Sequence, residues 1–365
     1  MSNQQKLIYL ICLSILSFSC VEKKGVVDEV GTVVRTNNVV TDSLKFTSGI
    51  SAIFQDSNNN YWFGSLREGV AMYDGQSFTY FTAADGLTDN QIHAIQEDKK
   101  GVIWFDTQTG VSSYDGETII NHTDTESLQM NLITKARQPI QGEWQKTDND
   151  LWFEAHVREG VYRFDGQQLY YLPFPPHKTL NLVDNLFATT DISKGKNRIW
   201  LATYAGVFGY DGQGFTVIND ETLGYDRDIA PLHIRSILED SKGRLWIGNN
   251  GIGVLLRENG LITNFSEDNN LIHPSSGRRG DKSPPNTLEH VFEISEDSQG
   301  NIWFGDRDGG VWRYDGENMV NYSQKDGLKH DFALSIYEDK HQNLWFGMRD
   351  GSVYLFVGDA FERVY

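Results

Sequence analysis

The chain has 365 residues, a net charge of −18 and a pI near 4.9, and its length allows one large or two ordinary domains. An acidic surface repels phosphate backbones, which argues against a nucleic-acid partner. The mean hydropathy is −0.45, and after the first twenty residues no run reaches the roughly 18 apolar residues of a membrane-spanning helix.

The N-terminus has the pattern of an export signal. Lys6 gives a positive start, and residues 7–19 form a mostly apolar stretch that ends in small residues before Cys20. This stretch resembles a bacterial lipoprotein signal, because Ser19 precedes the cysteine as in the lipobox. Ser17 departs from that pattern, since the family usually has leucine at this position.

The two cysteines agree with this interpretation. Cys12 lies inside the export signal, so Cys20 has no partner for a disulfide in the mature chain. We predict a signal peptide at 1–19, lipidation of Cys20, and a tether with an N-terminal extension at 20–47. The protein would then lie in the cell envelope, held to a membrane by its lipid alone, with leaflet and facing left open. The alternative is an ordinary signal peptide with a buried or removed cysteine.

From residue 48 to the C-terminus, one short motif recurs seven times. Each copy places a tryptophan inside an apolar run such as YWFG, IWFD or LWFE, and successive tryptophans are 42 to 57 residues apart. The seven are Trp62, Trp104, Trp152, Trp200, Trp246, Trp303 and Trp345. A period of this size indicates a stacked or circular array of one small unit.

The clearest copy, residues 291–323, predicts four antiparallel strands. VFEISED alternates apolar and polar residues, NIWFG and VWRYDG follow as the second and third strands, and ENMVNYS is the fourth. Asp-Gly is a strong hairpin turn. An isoleucine lies nine residues before the tryptophan in five copies: Ile53, Ile95, Ile237, Ile294 and Ile336.

Such a sheet has two faces to bury, and a ring of seven sheets buries both. We therefore predict an all-β fold, a seven-bladed β-propeller of four-stranded antiparallel blades at 48–365, with the tryptophans packed between blades. The β-branched run at 32–34 offers an extra strand for blade seven, although 360–365 already supply a fourth strand there. How the ring closes is left open.

The string ED..G.IWFG...GG..RYDG..F..Y....GL at 296–328, echoed at 55–87, resembles the two-component regulator propeller repeat. That family forms the extracytoplasmic sensor region of hybrid two-component systems in Bacteroidota, and the resemblance covers roughly 48–365. Complete sensors add a membrane helix, an immunoglobulin-like module and a kinase, none of which is recognisable here. The resemblance therefore implies a sensor-type propeller, and we expect no phosphotransfer from this chain.

Arginines and histidines cluster on one predicted face of the ring, where the loops after the tryptophan strands meet the starts of the inner strands. Guanidinium groups suit carboxylates or sulfates. We predict these ligand-binding residues: Arg67, His93, Arg158, Tyr204, His233, Arg235, His290, Arg307 and Arg349. The alternatives are arginines that pair with adjacent carboxylates and histidines in structural positions. Long connections at 173–185, 219–232 and 266–289 also belong to this face.

The favoured function is a monomeric, non-catalytic, extracytoplasmic ligand-binding propeller. An acidic oligosaccharide is one candidate ligand, because the resembling sensors serve polysaccharide-utilisation systems, and an envelope protein partner is another. No catalytic motif, metal motif or cofactor motif is present, so we expect no catalytic residue, metal or cofactor. The first alternative is a lyase of uronate polysaccharides, with His233 or His290 as base and Arg235 stabilising the enolate. A scaffold in an envelope complex is the second.

Overall fold

Each copy of the tryptophan motif forms one β-sheet, and the seven sheets form a ring. The computed structural model describes residues 34–35, 40–123, 140–156, 158–178, 187–225, 232–274 and 282–365. The predicted signal peptide and Cys20 lie outside these residues. The described part is almost entirely β, with two one-turn helices, α1 (Asp220–Leu223) and α2 (Phe265–Asp268), and none of its helices is long and apolar enough to cross a membrane. The predicted seven-bladed β-propeller is confirmed.

Six blades are antiparallel meanders whose first strand is innermost. The order of strands in each sheet follows the order of the sequence, and successive inner strands contact one another around the central axis. Two further short strands, β1 (Val34–Arg35) and β2 (Val40–Thr41), precede blade 1. Blade 1 consists of β3 (Ile50–Gln55), β4 (Tyr61–Ser65), β5 (Val70–Tyr73) and β6 (Phe78–Phe81). Blade 2 consists of β7 (Ile92–Glu97), β8 (Ile103–Thr107), β9 (Gly110–Tyr114) and β10 (Thr118–Asn121).

The later blades repeat this order. Blade 4 consists of β15 (Thr189–Lys194), β16 (Ile199–Thr203), β17 (Gly206–Tyr210) and β18 (Phe215–Asn219). Blade 5 consists of β19 (Ile234–Glu239), β20 (Leu245–Asn249), β21 (Val254–Glu258) and β22 (Leu261–Asn264). Blade 6 consists of β23 (Val291–Glu296), β24 (Ile302–Asp306), β25 (Val311–Tyr314) and β26 (Met319–Tyr322). Blade 7 consists of β27 (Ala333–Glu338), β28 (Leu344–Met348), β29 (Val353–Val357) and β30 (Ala360–Arg363).

Blade 3 is built differently from the other six. Its four strands are β11 (Ile140–Gln141), β12 (Leu151–Glu154), β13 (Val161–Phe164) and β14 (Leu169–Leu172). The short β11 pairs in parallel with β14 at the outer edge, so the tryptophan strand β12 is the innermost strand among the described residues. Among the described residues, blade 3 therefore has no strand in the place of the inner strand that lines the channel in the other six blades.

Two side chains from blade 2 bind the inner edge of β12, where another strand would otherwise pair. The Gln96 side-chain amide donates to the carbonyl oxygen of Trp152 at 2.8 Å. The backbone N–H of Glu154 donates to Asp106 Oδ2 at 2.7 Å. These bonds satisfy backbone groups that would be costly to bury unpaired. The recess beside β12 consequently opens onto the channel.

The tryptophans pack between blades, as predicted, and none is more than 7% exposed. Trp62 of blade 1 contacts Ile95 and Phe105 of blade 2 in one buried cluster. In five blades the indole N–H donates to the aspartate six residues earlier, which lies in the turn after the inner strand. An example is Trp246, which donates to Asp240 at 2.9 Å. The same aspartate orders the turn and fixes the tryptophan that fills the blade interface.

The described strands of the N-terminal segment pair with blades 1 and 2. β1 pairs with β10 of blade 2, and β2 pairs with β6 of blade 1. Blade 7 takes its four described strands from the C-terminal end, and Val34 of the run at 32–34 pairs with blade 2 instead. Thr32 and Val33 lie outside the described residues. The ring closes through side chains at the junction of blades 7 and 1: Ser335 donates to the carbonyl of Ile50 at 3.0 Å, and the Tyr61 hydroxyl donates to Asp339 at 2.7 Å.

Glycine two residues after the tryptophan permits close contact with the next blade. A Cβ at Gly347 would lie 2.7 Å from the carbonyl oxygen of Ile50 and 2.3 Å from Ser335 Oγ, and one at Gly305 would lie 2.7 Å from the carbonyl oxygen of Ala333. Asp106 and Glu154 hold the same position in blades 2 and 3. Asp106 is accommodated because, among the described residues, no inner strand of blade 3 lies against it.

We predict that Gly347→Ala lowers the thermal stability, because the added methyl group meets backbone atoms that cannot move away without separating blades 7 and 1. The expected cost is about 1–3 kcal/mol, as for other overpacked sites. Gly214→Ala is the matched control, since nothing lies within 4 Å of a Cβ there. Equal melting temperatures for the two variants in a thermal denaturation experiment would contradict this account of the blade contact.

Candidate functional site

The central channel contains a cavity of about 630 Å³ that is lined by all seven blades. Two repeat positions supply much of its wall. The residue eleven before the tryptophan, near the start of the inner strand, contributes Ser51, His93, Thr189, Arg235, Phe292 and Leu334. The residue four after the tryptophan contributes Leu66, Gln108, His156, Tyr204 and Arg349. Constant offsets from the tryptophan thus bring these side chains to one place.

One side of the cavity holds a guanidinium between aromatic rings. Arg235 Cζ lies 4.9 Å from the ring centroid of Tyr204 and 4.8 Å from that of Phe292. Its Nη1 donates to the Tyr204 hydroxyl at 3.2 Å, and Phe292 packs edge-on against Phe332 at 5.0 Å. No carboxylate of the described residues lies within ion-pair distance of Arg235. The rings fix the guanidinium plane, and no carboxylate of the described part of the chain compensates its charge.

The side formed by blades 2 and 3 holds histidines and carboxylates. His156 Nδ1 lies 3.1 Å from Glu154 Oε2, and His156 Nε2 lies 3.1 Å from Asp106 Oδ1. The rings of His93 and His156 lie 4.1 Å apart between centroids. One donor atom from each of His93, Glu154 and His156 lies within 4.8 Å of the other two. This group has the residue types and the proximity to hold a metal ion.

Burial shifts the proton affinities of this side. Desolvation lowers the pKa of His93 and of His156 to about 3, which keeps both imidazoles neutral at physiological pH. Desolvation also raises the pKa of Asp106, and it raises the pKa of Glu154 well above its usual range. Neutral imidazoles retain a nitrogen lone pair, which is the form that binds cations.

Two more carboxylates, Asp191 and Glu293, line the cavity. Asp191 accepts hydrogen bonds from the backbone N–H of Ile237 at 2.8 Å and of Ile192 at 2.7 Å. Burial nevertheless raises the pKa of Asp191 to about 6. Burial, followed by repulsion from Asp191, raises the pKa of Glu293 well above its usual range. Both groups therefore hold their protons more tightly than exposed carboxyls do.

The cavity brings together four of the nine residues predicted from the sequence: His93, Tyr204, Arg235 and Arg349. The other five are not among its lining residues. Arg67 is exposed on its loop. Arg158 lies over the ring of Tyr171, with Cζ 4.7 Å from the centroid. Arg307 donates twice to Asp308, at 2.9 and 2.7 Å, in the pairing considered as the alternative for these arginines.

The two remaining histidines share one asparagine between blades 5 and 6. His290 is fully buried, and its Nδ1 lies 2.7 Å from the side-chain oxygen of Asn250. The amide nitrogen of Asn250 lies 3.0 Å from His233 Nδ1. The ring of His233 also stacks on Tyr204 at 5.0 Å. His233 therefore contacts the cavity wall through Tyr204, whereas Asn250, which contacts His290, is not among the lining residues.

Asp106 and Glu154 are site residues that were not predicted from the sequence. A usable signal was present, because the motif ends in glycine or alanine in five copies but reads WFD in copy two and WFE in copy three. A charged residue at a position that otherwise tolerates almost no side chain indicates that the neighbouring strand is displaced. His156 was likewise not predicted as a site residue.

The fold and the site define the class of protein: it is a seven-bladed propeller whose channel cavity is lined by both acidic and basic side chains. Residues 43–67, 86–109 and 228–251, in the first, second and fifth copies, match the family model described as "Two component regulator propeller". Three of the seven copies therefore match this repeat family, as the resemblance implied. A comparison with curated proteins found no match.

Solved structures share the fold at low identity. The extracellular domain of the hybrid two component system BT3049 from B. thetaiotaomicron has a TM-score of 0.61 at 19% identity, covering 87% of this chain and 40% of that one. The corresponding domain of BT4673 has a TM-score of 0.57 at 19% identity, with 89% and 39% covered. Virginiamycin B lyase from Staphylococcus aureus has a TM-score of 0.58 at 15% identity, with 87% and 97% covered. The chain thus spans about two fifths of the two sensor-system chains.

We predict that Glu293→Gln removes a pH-dependent loss of stability. A carboxyl with a raised folded pKa stabilises the fold fully below its unfolded pKa of about 4.3, and this contribution disappears as the pH rises through the folded value. The variant should therefore gain melting temperature over the unsubstituted protein at pH 8 and show a smaller difference at pH 5, measured in EDTA. Glu317→Gln, at an exposed glutamate, is the control. A difference that does not grow with pH would contradict the prediction.

Proposed function

We propose that the protein is a non-catalytic, extracytoplasmic, sensor-type propeller that binds an acidic ligand in its central channel. The family of its repeats supports the sensor type, and the likeness to extracellular domains of two hybrid two-component systems supports a location outside the cytoplasm. The observation that carries the ligand class is Arg235, whose guanidinium faces the cavity between two aromatic rings with no carboxylate of the described residues beside it.

An acidic oligosaccharide fits this side of the cavity. Its carboxylate or sulfate would bind Arg235, with Arg349 on the neighbouring wall, through charge-assisted hydrogen bonds. The rings of Phe292 and Phe332 offer flat apolar surfaces for the C–H faces of a sugar ring. A volume of about 630 Å³ lies in the range of small-ligand sites. Uronate or sulfated sugars combine these two requirements.

The lyase alternative has weaker support. The likeness to virginiamycin B lyase concerns the fold, at 15% identity. A lyase also needs a base in reach of the substrate, and His233 and His290, the two bases suggested by the sequence, do not line the cavity. A binding module is consequently the better-supported function. The lyase reaction stays measurable as the appearance of absorbance from an unsaturated uronate product.

We predict that Arg235→Ala weakens binding of an acidic oligosaccharide by tenfold or more, because a charge-assisted hydrogen bond contributes about 1.5–3 kcal/mol. Isothermal titration calorimetry with oligogalacturonates and chondroitin sulfate oligosaccharides measures this, and a neutral glucan oligosaccharide serves as the ligand control. Arg67→Ala, an exposed arginine outside the cavity, should bind like the unsubstituted protein.

Two results would count against this proposal. Unchanged affinity in Arg235→Ala would remove the site, whatever the ligand. Absence of binding to every acidic oligosaccharide, together with specific capture of one envelope protein that Arg349→Ala abolishes, would replace the sugar by a protein partner at the same end of the channel.

We further propose that Cys20 is lipidated and holds the protein to a membrane of the cell envelope. Radiolabelled palmitate should label the unsubstituted chain and place it in the membrane fraction. Cys20→Ser should lose both label and membrane association, since no other anchor is proposed. Cys12→Ser, within the same signal segment, should keep both. Membrane association of Cys20→Ser equal to that of the unsubstituted chain would contradict the anchor.

A further inference from the structure

The recess beside β12 of blade 3 contains a cluster that the acidic-ligand proposal does not use. His93 comes from the inner strand β7 of blade 2, and Glu154 and His156 come from the end of β12 and the loop after it. We propose that His93, Glu154 and His156 bind one divalent transition-metal ion of the zinc class. No local motif in the sequence marks this site, because the ring brings the three ligands together from two blades.

The distances suit three ligands of one ion. Zinc binds histidine nitrogen and carboxylate oxygen at about 2.0–2.2 Å, so two ligand atoms of a tetrahedral site lie about 3.3 Å apart. His156 Nδ1 and Glu154 Oε2 are separated by 3.1 Å, close to that value. The three donor atoms of the cluster lie within 4.8 Å of one another. His93 Nε2 lies 3.1 Å from Gln108 Oε1 and 3.2 Å from Gln91 Nε2, and binding of an ion through this nitrogen would replace these contacts.

Asp106 provides the outer support that a metal-binding histidine usually has. When His156 binds through Nδ1, its Nε2–H is free to donate to Asp106 Oδ1, 3.1 Å away. Asp106 is itself held by the backbone N–H of Glu154 at 2.7 Å. A carboxylate that receives the second N–H of a ligating histidine fixes its tautomer and orientation. Both Asp106 and Glu154 stand at the repeat position that is glycine or alanine in the other five blades.

The donor set selects the kind of metal. Two imidazoles and one carboxylate suit zinc and neighbouring transition metals, whereas calcium and magnesium prefer oxygen ligands alone. The cavity wall carries four carboxylate side chains, Asp106, Glu154, Asp191 and Glu293, against three cationic ones, Lys194, Arg235 and Arg349. Buried carboxylates need a cation or hydrogen bonds close by. A divalent ion would supply the missing positive charge at the carboxylate side.

The fourth coordination position of such an ion would face the cavity. His93, Glu154 and His156 all line it, and three protein ligands leave tetrahedral zinc one position for a water or a ligand atom. The site is therefore built to present an ion to whatever enters the channel. It does not depend on the acidic-ligand proposal, because Arg235 and its aromatic neighbours belong to other blades.

The test is metal binding by the full chain after treatment with EDTA. Titration calorimetry with zinc chloride and metal analysis after dialysis should give one zinc per chain with a dissociation constant in the micromolar range or below. His93→Ala, Glu154→Gln and His156→Ala should each weaken binding at least tenfold. Asp106→Asn should weaken it by about 10- to 100-fold, as for other outer-shell carboxylates. His341→Ala, an exposed histidine outside the cavity, should bind as the unsubstituted protein does.

X-ray absorption of the zinc-loaded unsubstituted protein gives a test that does not depend on the folding of variants. The expected spectrum contains two imidazole ligands and only nitrogen and oxygen donors. Fewer than two imidazoles, no stoichiometric binding of zinc, or equal affinity in the folded His93→Ala and His156→Ala variants would each overturn the site. Binding of magnesium or calcium with no response to zinc would overturn the proposed class of metal.

Discussion

The contact between the tryptophan strand of one blade and the inner strand of the next governs the whole molecule. At Gly64, Gly305 and Gly347 the approach is so close that a methyl group would collide with the neighbouring blade. The tryptophan two residues earlier fills the same interface and is held by an aspartate of its own blade. Six inner strands are placed by this contact. Beside β12, where the described residues of blade 3 provide no inner strand, Asp106 and Glu154 occupy the position that is glycine or alanine elsewhere, and the channel has its histidine and carboxylate side.

The repeat made the fold predictable, because each copy carries its strand pattern, turn and buried tryptophan within some 30 residues. The departure of blade 3 was harder to foresee. Copies three and four both lack the isoleucine nine residues before the tryptophan, with Glu143 and Asp191 at that position. Copy four still forms its inner strand, β15. There Asp191 accepts hydrogen bonds from the backbone N–H of Ile192 in the same strand and of Ile237 in blade 5. The same local sequence change thus has two structural outcomes, and only the packing of neighbouring blades distinguishes them.

The candidate site was predictable in part, and the useful variable was the offset from the tryptophan more than the type of residue. Arg349, four residues after its tryptophan, lines the cavity, whereas Arg67 and Arg158, five and six residues after theirs, do not. Arg307 also stands four residues after its tryptophan, yet it pairs with Asp308 and lies off the cavity. A salt bridge between adjacent residues can hold an arginine away from the cavity even when its offset from the tryptophan is the right one. The repeat pattern does not show whether such a salt bridge forms.

All three cationic side chains of the cavity wall, Lys194, Arg235 and Arg349, belong to blades 4 to 7, which also present Asp191 and Glu293. Blades 2 and 3 present two histidines and two carboxylates and no cationic side chain among the lining residues. Without a cation, the side formed by blades 2 and 3 offers an acidic ligand no positive charge. An ion bound at His93, Glu154 and His156 would add positive charge to that side and give an anionic ligand two points of attachment. Ligand affinity should then depend on the metal even though Arg235 and the metal ligands share no side chain. Conversely, metal affinity should survive the loss of Arg235, because the metal ligands belong to blades 2 and 3, whose packing does not involve it.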